Sequence, residues 1–248
     1  EFANALKIVQ QGDIKANDMM GSWAGAFGQT QFMPSTFLSL ATDFDGDGRR
    51  DIVNSVPDAL ASTANFLAKK GYKTGEVWGF EVKKPVGVTA VSSRKNKQPI
   101  SHWRNLGYTL ADGRPLPNTL SSAGLLAPAG SNGPLFLVGK NFDVFYAYNA
   151  SENYALAIAH LSDLIANNQS YQVNFITSWP TDDAGISRRE AREIQQFLLQ
   201  AGYDIGAVDG IIGDNTRRAI KDFQSKQGVV ADGRAGQKFY RLIRTYYR

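Results

Sequence analysis

The stretch Gly21-Ser22-Trp23-Ala24-Gly25-Ala26-Phe27-Gly28-Gln29-Thr30-Gln31-Phe32-Met33-Pro34-Ser35 sets the strongest limit on how this chain folds. Its glycines admit positive φ and close backbone approach, so the first part reads as a loop. Pro34 fits the first turn of a helix, where an N–H would have no intrahelical partner. Between them, Ser22, Gln29, Thr30 and Gln31 set hydrogen-bonding groups among aromatic rings. The residues alone leave two readings open. One is a loop feeding a buried helix; the other is a surface for a pyranose, whose apolar face suits an aromatic ring and whose hydroxyl rim suits an amide.

Helical periodicity flanks this loop. Phe2, Ala5, Leu6 and Val9 share a face and Gly12 is a stop, so the chain opens inside an amphipathic helix. A short helix is expected over 34–41. Ser55 with Asp58 three residues on announces another over 56–70, its apolar face reading Val56, Ala59, Leu60, Thr63, Ala64 and Leu67, with Phe66 alongside. Before it, Asp43-Phe44-Asp45-Gly46-Asp47-Gly48-Arg49 places acids at positions 1, 3 and 5 and glycine at 6 of an EF-hand-like loop. Asn54 stands where a bidentate Glu would close such a loop, which leaves Asp58 as the closing carboxylate. Asp43, Asp45, Asp47, Arg49 and Asp58 are therefore the candidate set for a structural calcium ion; the alternative is an ion-free Asp/Gly turn.

Over about 78–145 the helical period fades, and short β-type runs at 80–82, 86–91, 135–138 and 142–145 predict a small β-rich insertion. His102 beside Trp103 has no second His at metal-ligand spacing and reads as a packing residue. Tyr148-Asn149-Ala150-Ser151 leads into a helix over 152–166, with Ser151 as its cap. Residues 178–186, with Pro180 and paired acids, read as a linker. A capping box, Ser187-Arg188-Arg189-Glu190, opens a second unit over 187–248. Within it, Asp209-Gly210-x-x-Gly213 and Asp232-Gly233-x-x-Gly236 each precede a helix, a twofold echo inside a three-helix module. The fold class expected is α+β: a mainly helical domain over 1–177 with a β-rich insertion, then this module.

With 248 residues the chain has material for two cores, and having no cysteine it uses neither disulfides nor thiolate metal sites. The net charge of +4 is too small to argue for nucleic acid, yet it favours approach to an anionic polymer. No apolar run nears the roughly 20 residues that cross a bilayer.

The loop at 21–35, together with Tyr148-Asn149-x-Ser151, resembles the lytic murein transglycosylase B family, and the match runs with gaps to about Trp179. The pattern Gln195…Gly202-Tyr203…Asp209-Gly210-x-x-Gly213-x-x-Thr216…Phe223-Gln224…Asp232-Gly233 resembles the peptidoglycan-binding domain that ends many wall hydrolases. The first resemblance implies a lysozyme-like domain that cleaves the MurNAc-GlcNAc β-1,4 bond of peptidoglycan strands and closes a 1,6-anhydroMurNAc ring, with no cofactor for catalysis. It also implies one catalytic Glu in a Glu-x-x-x-Gly motif, which is expected upstream of Glu1; Glu76, Glu81, Glu152, Glu190 and Glu193 do not replace it. Ser22 and Tyr148 would support that acid, and Gln31, Phe32, Phe66 and Asn149 would contact sugar. The module would act by holding the enzyme on its insoluble substrate. The setting implied is the periplasm or cell envelope, as a monomer, with membrane contact only through a removed lipid anchor. A muramidase and a non-catalytic wall-binding protein are the alternatives.

Overall fold

Helix ends follow the local chemistry closely. In the computed structural model, which describes residues 1–90, 92–166 and 175–246, the first helix, α1 (Phe2–Gln11), stops at Gly12 with φ 83°. Contacts divide the chain into two units, Glu1–Lys73 and Thr74–Arg248.

In the first unit, α2 (Pro34–Leu40) starts on Pro34, and α3 (Val56–Lys69) starts on Ser55, whose hydroxyl accepts the Asp58 N–H. Ile8, Ile14, Phe27, Phe32, Phe37, Ile52, Ala59 and Phe66 are buried and supply the apolar core. The buried side of α3 is Asp58, Ala59, Ser62 and Phe66; Val56 and Leu60 face water, so the apolar face expected from periodicity is rotated. Polar groups cause the rotation. Ser62 Oγ accepts the Thr42 N–H at 2.9 Å, and the Asp58 carboxylate accepts two more backbone donors, so this helix turns polar residues inward to satisfy the loop it covers. Likewise Phe2 and Leu6 of α1 are exposed, and Ile8 is its buried residue.

In the second unit, β1 (Gly79–Lys83), β2 (Gln98–Pro99), β3 (Thr109–Leu110), β4 (Ser122–Leu126) and β5 (Leu135–Val138) form one antiparallel sheet in the order β2-β4-β5-β1-β3. Helix α4 (Ile100–Asn105) lies between β2 and β3, and Trp103 on it is buried with its indole N–H on Ala123 O at 2.9 Å. His102 packs edge-on against Trp103.

Two expected strands are absent. Residues 86–90 form a turn and coil, because Gly87 at φ 81° reverses the chain after Pro85; Val91 lies outside the described residues. Residues 142–145 belong to α5 (Lys140–Asn149), in which Asn141, Phe142, Val144 and Phe145 are buried. A short apolar run such as this fits a strand as well as one face of a helix, so periodicity alone does not separate them.

Helix α6 (Glu152–Ile165) is capped by Ser151. The terminal module contains α7 (Arg188–Gln200), α8 (Asp214–Lys226) and α9 (Gln237–Arg244) around Ile194, Phe197, Leu198, Ile220, Phe223, Phe239 and Ile243. Its capping box is complete, with Ser187 and Glu190 each serving the other's backbone N–H. The stretch expected to be a bare linker is anchored in its middle: Asp183 is buried and its carboxylate accepts the Lys238 N–H at 2.7 Å.

Candidate functional site

The loop of the first unit is built by a narrow ladder. Ser22 N donates to Ala26 O at 2.8 Å, Phe27 N to Phe32 O at 2.9 Å, and Phe32 N to Phe27 O at 3.0 Å. Gly28 leaves this ladder at φ 74° with its α-carbon against Ile52; a β-carbon there would lie 2.7 Å from Ile52 Cγ1 and 2.8 Å from Ile52 O. Only glycine fits that contact. Gln29 adds two bonds to the same segment, from its N–H to Ile52 O at 2.9 Å and from Nε2 to Val53 O at 3.1 Å.

On this frame the functional candidates separate. Ser22 is exposed, and its Oγ accepts the Ala26 N–H at 3.1 Å, which fixes the oxygen while its own proton points elsewhere. Gln31 is exposed at φ 54°, a strained conformation for a non-glycine residue, and its Nε2 donates to Gly28 O at 2.9 Å. Phe32 and Phe66, expected to contact sugar, are only 2% and 7% exposed and pack on one another with ring centroids 6.2 Å apart. Both rings are thus largely taken up by the packing of this unit, with Lys70 Nζ over the Phe66 ring at 5.4 Å.

Within the loop at 21–35 the exposed aromatic ring is Trp23, at 98% exposure. Sequence reasoning passed it over, although a signal was present: an aromatic residue inside Gly-Ser-Trp-Ala-Gly sits on a turn whose small neighbours cannot cover it.

The acidic loop belongs to the same unit. Asp43, Asp45 and Asp47 each bring a carboxylate oxygen to within 4.8 Å of the others. Backbone donors organise them: Asp43 accepts from Gly46 N at 2.7 Å and Gly48 N at 2.9 Å, and Asp47 accepts from Arg49 N at 2.8 Å. Asp58 is not in that group. It is fully buried, and its two oxygens take the N–H groups of Phe44 and Asp51 at 2.8 Å each, so it shuts the loop from inside by hydrogen bonding. The side chain of Arg49 turns away from the three acids and meets Asp51 at 3.3 Å.

Burial by itself would raise the pKa of Asp51, but bonds from the Asn54 backbone and side chain and from Val53 N outweigh it and bring the pKa below its ordinary value. Arg50 closes the far end through a bidentate pair with Asp13, at 2.5 Å and 3.1 Å.

In the second unit Tyr148 occupies the last turn of α5, partly buried, with Asn149 exposed after it. Ala150 then takes a positive φ of 20°, and Ser151 Oγ accepts the Tyr154 N–H at 3.3 Å to start α6.

Carboxyls in this chain differ sharply in state. Glu1 caps α2, accepting from Ser35 Oγ at 2.7 Å and Ser35 N at 2.8 Å, and these bonds hold its pKa below the ordinary value, opposite to what a general acid needs. Burial raises the pKa of Asp163 against a lowering bond from Trp78 Nε1 at 2.7 Å. The adjoining cavity holds about 10 Å³, room for about one water and not for a sugar ring.

The fold class is α+β and lysozyme-like, mainly helical with a small antiparallel sheet and a C-terminal helical module. Residues 1–163 match the transglycosylase SLT domain and residues 187–243 a peptidoglycan binding domain, and the chain belongs to the transglycosylase SLT domain family. SltB3 of Pseudomonas aeruginosa, solved in complex with NAG-anhNAM-pentapeptide, is 45% identical with a TM-score of 0.86, over 97% of this chain and 64% of that one. Membrane-bound lytic murein transglycosylase B of Escherichia coli K12 is 31% identical over 156 residues, 60% of this chain and 40% of the relative. Slt35 of Escherichia coli, solved in complex with calcium, is 29% identical with a TM-score of 0.56, over 67% of this chain and 52% of that one. The chain thus spans less than two thirds of the length of each.

Proposed function

We propose that residues 1–248 are the sugar-binding and wall-binding portion of a lytic transglycosylase acting on peptidoglycan strands in the cell envelope. The observation that carries this reading is the loop at 21–32, where Trp23, Ser22 and Gln31 stand exposed on a frame that only glycine at 28 allows. The ring covers the apolar face of a sugar, and the amide and hydroxyl meet its rim. Likeness to SltB3, solved in complex with NAG-anhNAM-pentapeptide, supports the ring-closing outcome.

The reaction needs one carboxyl that gives its proton to the glycosidic oxygen as the C1–O bond breaks and, now ionised, takes the proton of the muramoyl C6 hydroxyl. The reading assigns this acid to a Glu outside residues 1–248, with Ser22 donating a hydrogen bond to it and Tyr148 and Asn149 meeting the sugar. C6 oxygen then bonds to C1 and the departing sugar leaves with the acid's proton, so no water is consumed. Mass spectrometry of murein digested by the complete protein tests this: the muramoyl end is expected one water lighter than a hydrolysis product. Reducing ends would make the protein a muramidase, and binding to sacculi without cleavage would make it a non-catalytic wall protein.

A calcium ion fits the acidic loop, because three carboxylates converge there with hard oxygen donors and a backbone already turned by Gly46 and Gly48. Asp43, Asp45, Asp47 and the backbone carbonyl of Arg49 would hold it. The ion would supply no chemistry to the sugar; it would neutralise the three like charges and stiffen the segment that leads into Ile52 and the sugar loop.

A further inference from the structure

The terminal module is joined to the rest of the second unit by more than chain connectivity. Arg94, in the segment between β1 and β2, has a side chain only 6% exposed; its Nη1 lies 2.5 Å from Asp143 Oδ1 on α5 and its Nε 3.2 Å from Glu152 Oε1 on α6. Its guanidinium also covers the Tyr146 ring at 4.0 Å. The other oxygen of Glu152 faces the module: Arg217 Nη1, on α8, lies 2.7 Å from Glu152 Oε2, with side chains 13% and 11% exposed. Glu152 Oε2 and Arg217 Nη1 are buried and make no hydrogen bond, so among the described residues opposite charge is their compensation. Removing Arg217 leaves Glu152 Oε2 buried with Arg94, on its other oxygen, as the remaining counter-charge.

Other contacts fix the parts around it. Gly124 on β4 lets the chain pass tightly beneath Arg94; a β-carbon there would lie 2.2 Å from Arg94 O. Lys97 adds a second cation to Asp143 at 3.0 Å. Ser131 N, beyond β4, donates to Asp232 O of the module at 3.2 Å.

Glu152 is the first residue of α6, directly after the Ser151 cap and one turn beyond Tyr148. We infer that Glu152 and Arg217 are positioning residues: through them the wall-binding module fixes the turn that carries Tyr148 and Asn149, so turnover depends on the module beyond its role in retention. This rests on the sugar-facing role proposed for Tyr148. It departs from a purely tethering module, which would leave cleavage of short soluble glycans unchanged when removed.

The test uses the complete protein and its Arg217→Ala variant, with a short soluble glycan that needs no retention. Hydrogen exchange at the amides of residues 151–156 is expected to quicken about tenfold or more as the start of α6 loosens. On the same glycan, kcat is expected to fall roughly 10- to 100-fold with a smaller change in KM, the effect of a misplaced reacting group. Arg217→Lys, which keeps a cation in place, should restore most of both. Should Arg217→Ala fail to fold, Arg217→Gln is read in the same way. Unchanged exchange at 151–156, or unchanged kcat in a folded variant, would overturn the inference. Absence of anhydro products from the unaltered protein would instead sink the transglycosylase reading, while the exchange result still judges the link between module and turn.

Discussion

The glycine-framed loop of the first unit and the paired turns of the terminal module are written in the same residues and put them to opposite uses. In the module, Gln195 is buried; its Oε1 accepts the Gly210 N–H at 2.7 Å while its Nε2 donates to Asp209 Oδ1 and Ile211 O at 3.1 Å each. Gln224 repeats the arrangement with Gly233 N and Asp232 Oδ1, both at 2.9 Å. Each Asp-Gly turn is thus held by one glutamine whose capacity is spent on the fold. In the loop, Gln29 and Gln31 are exposed and each side chain spends its amide nitrogen on one backbone carbonyl. Where glutamine is buried and saturated it builds a scaffold; where it stands in water with acceptor capacity left, it is available to a ligand.

The contrast breaks most visibly if Gln195→Ala is harmless. That change removes three hydrogen bonds made by the buried Gln195, at about 1 kcal/mol each, and is expected to cost about 3 kcal/mol, read as a lower denaturant midpoint, with no change in affinity for soluble sugar. Next in size is calcium. At one hundred times its dissociation constant the ion should raise stability by about 2.7 kcal/mol. Asp45→Asn should weaken that response, and a melting transition indifferent to excess calcium would remove the ion from the account.

Trp23→Ala should weaken binding of short glycan strands about tenfold, the loss of one ring face buried on a sugar, while leaving stability unchanged. Equal affinity in the variant would return Trp23 to the solvent-exposed bystanders. The smallest expected effect on stability is that of Gln31→Gly. Relief of the positive φ offsets the lost bond to Gly28 O, so stability should move by less than about 0.5 kcal/mol while kcat/KM falls. A variant with full kcat/KM would show that the amide does not meet substrate.

Local signals in the sequence located the elements well, because each resides in a few neighbouring residues. Gly12, Pro34, Ser55, Ser151 and the Ser187/Glu190 box mark helix ends where the structure has them. Orientation was harder to read, since it depends on distant partners. Asp58 resembled a closing ion ligand until Phe44 and Asp51 were seen to occupy both of its oxygens. Phe32 and Phe66 had the chemistry for sugar stacking, but only the packed unit shows them meeting each other while Trp23 is left in water. Residues 142–145 read as a strand because a short apolar run is the same in a strand and on one face of a helix.

The bare contact between Gly28 and Ile52 carries one more consequence. A lone methyl group at position 28 would act as a wedge, prising the turn at 28–31 off the stretch that follows the three aspartates. Neither loop can therefore drift by itself, and anyone redesigning one for a new ligand must recarve its neighbour to match.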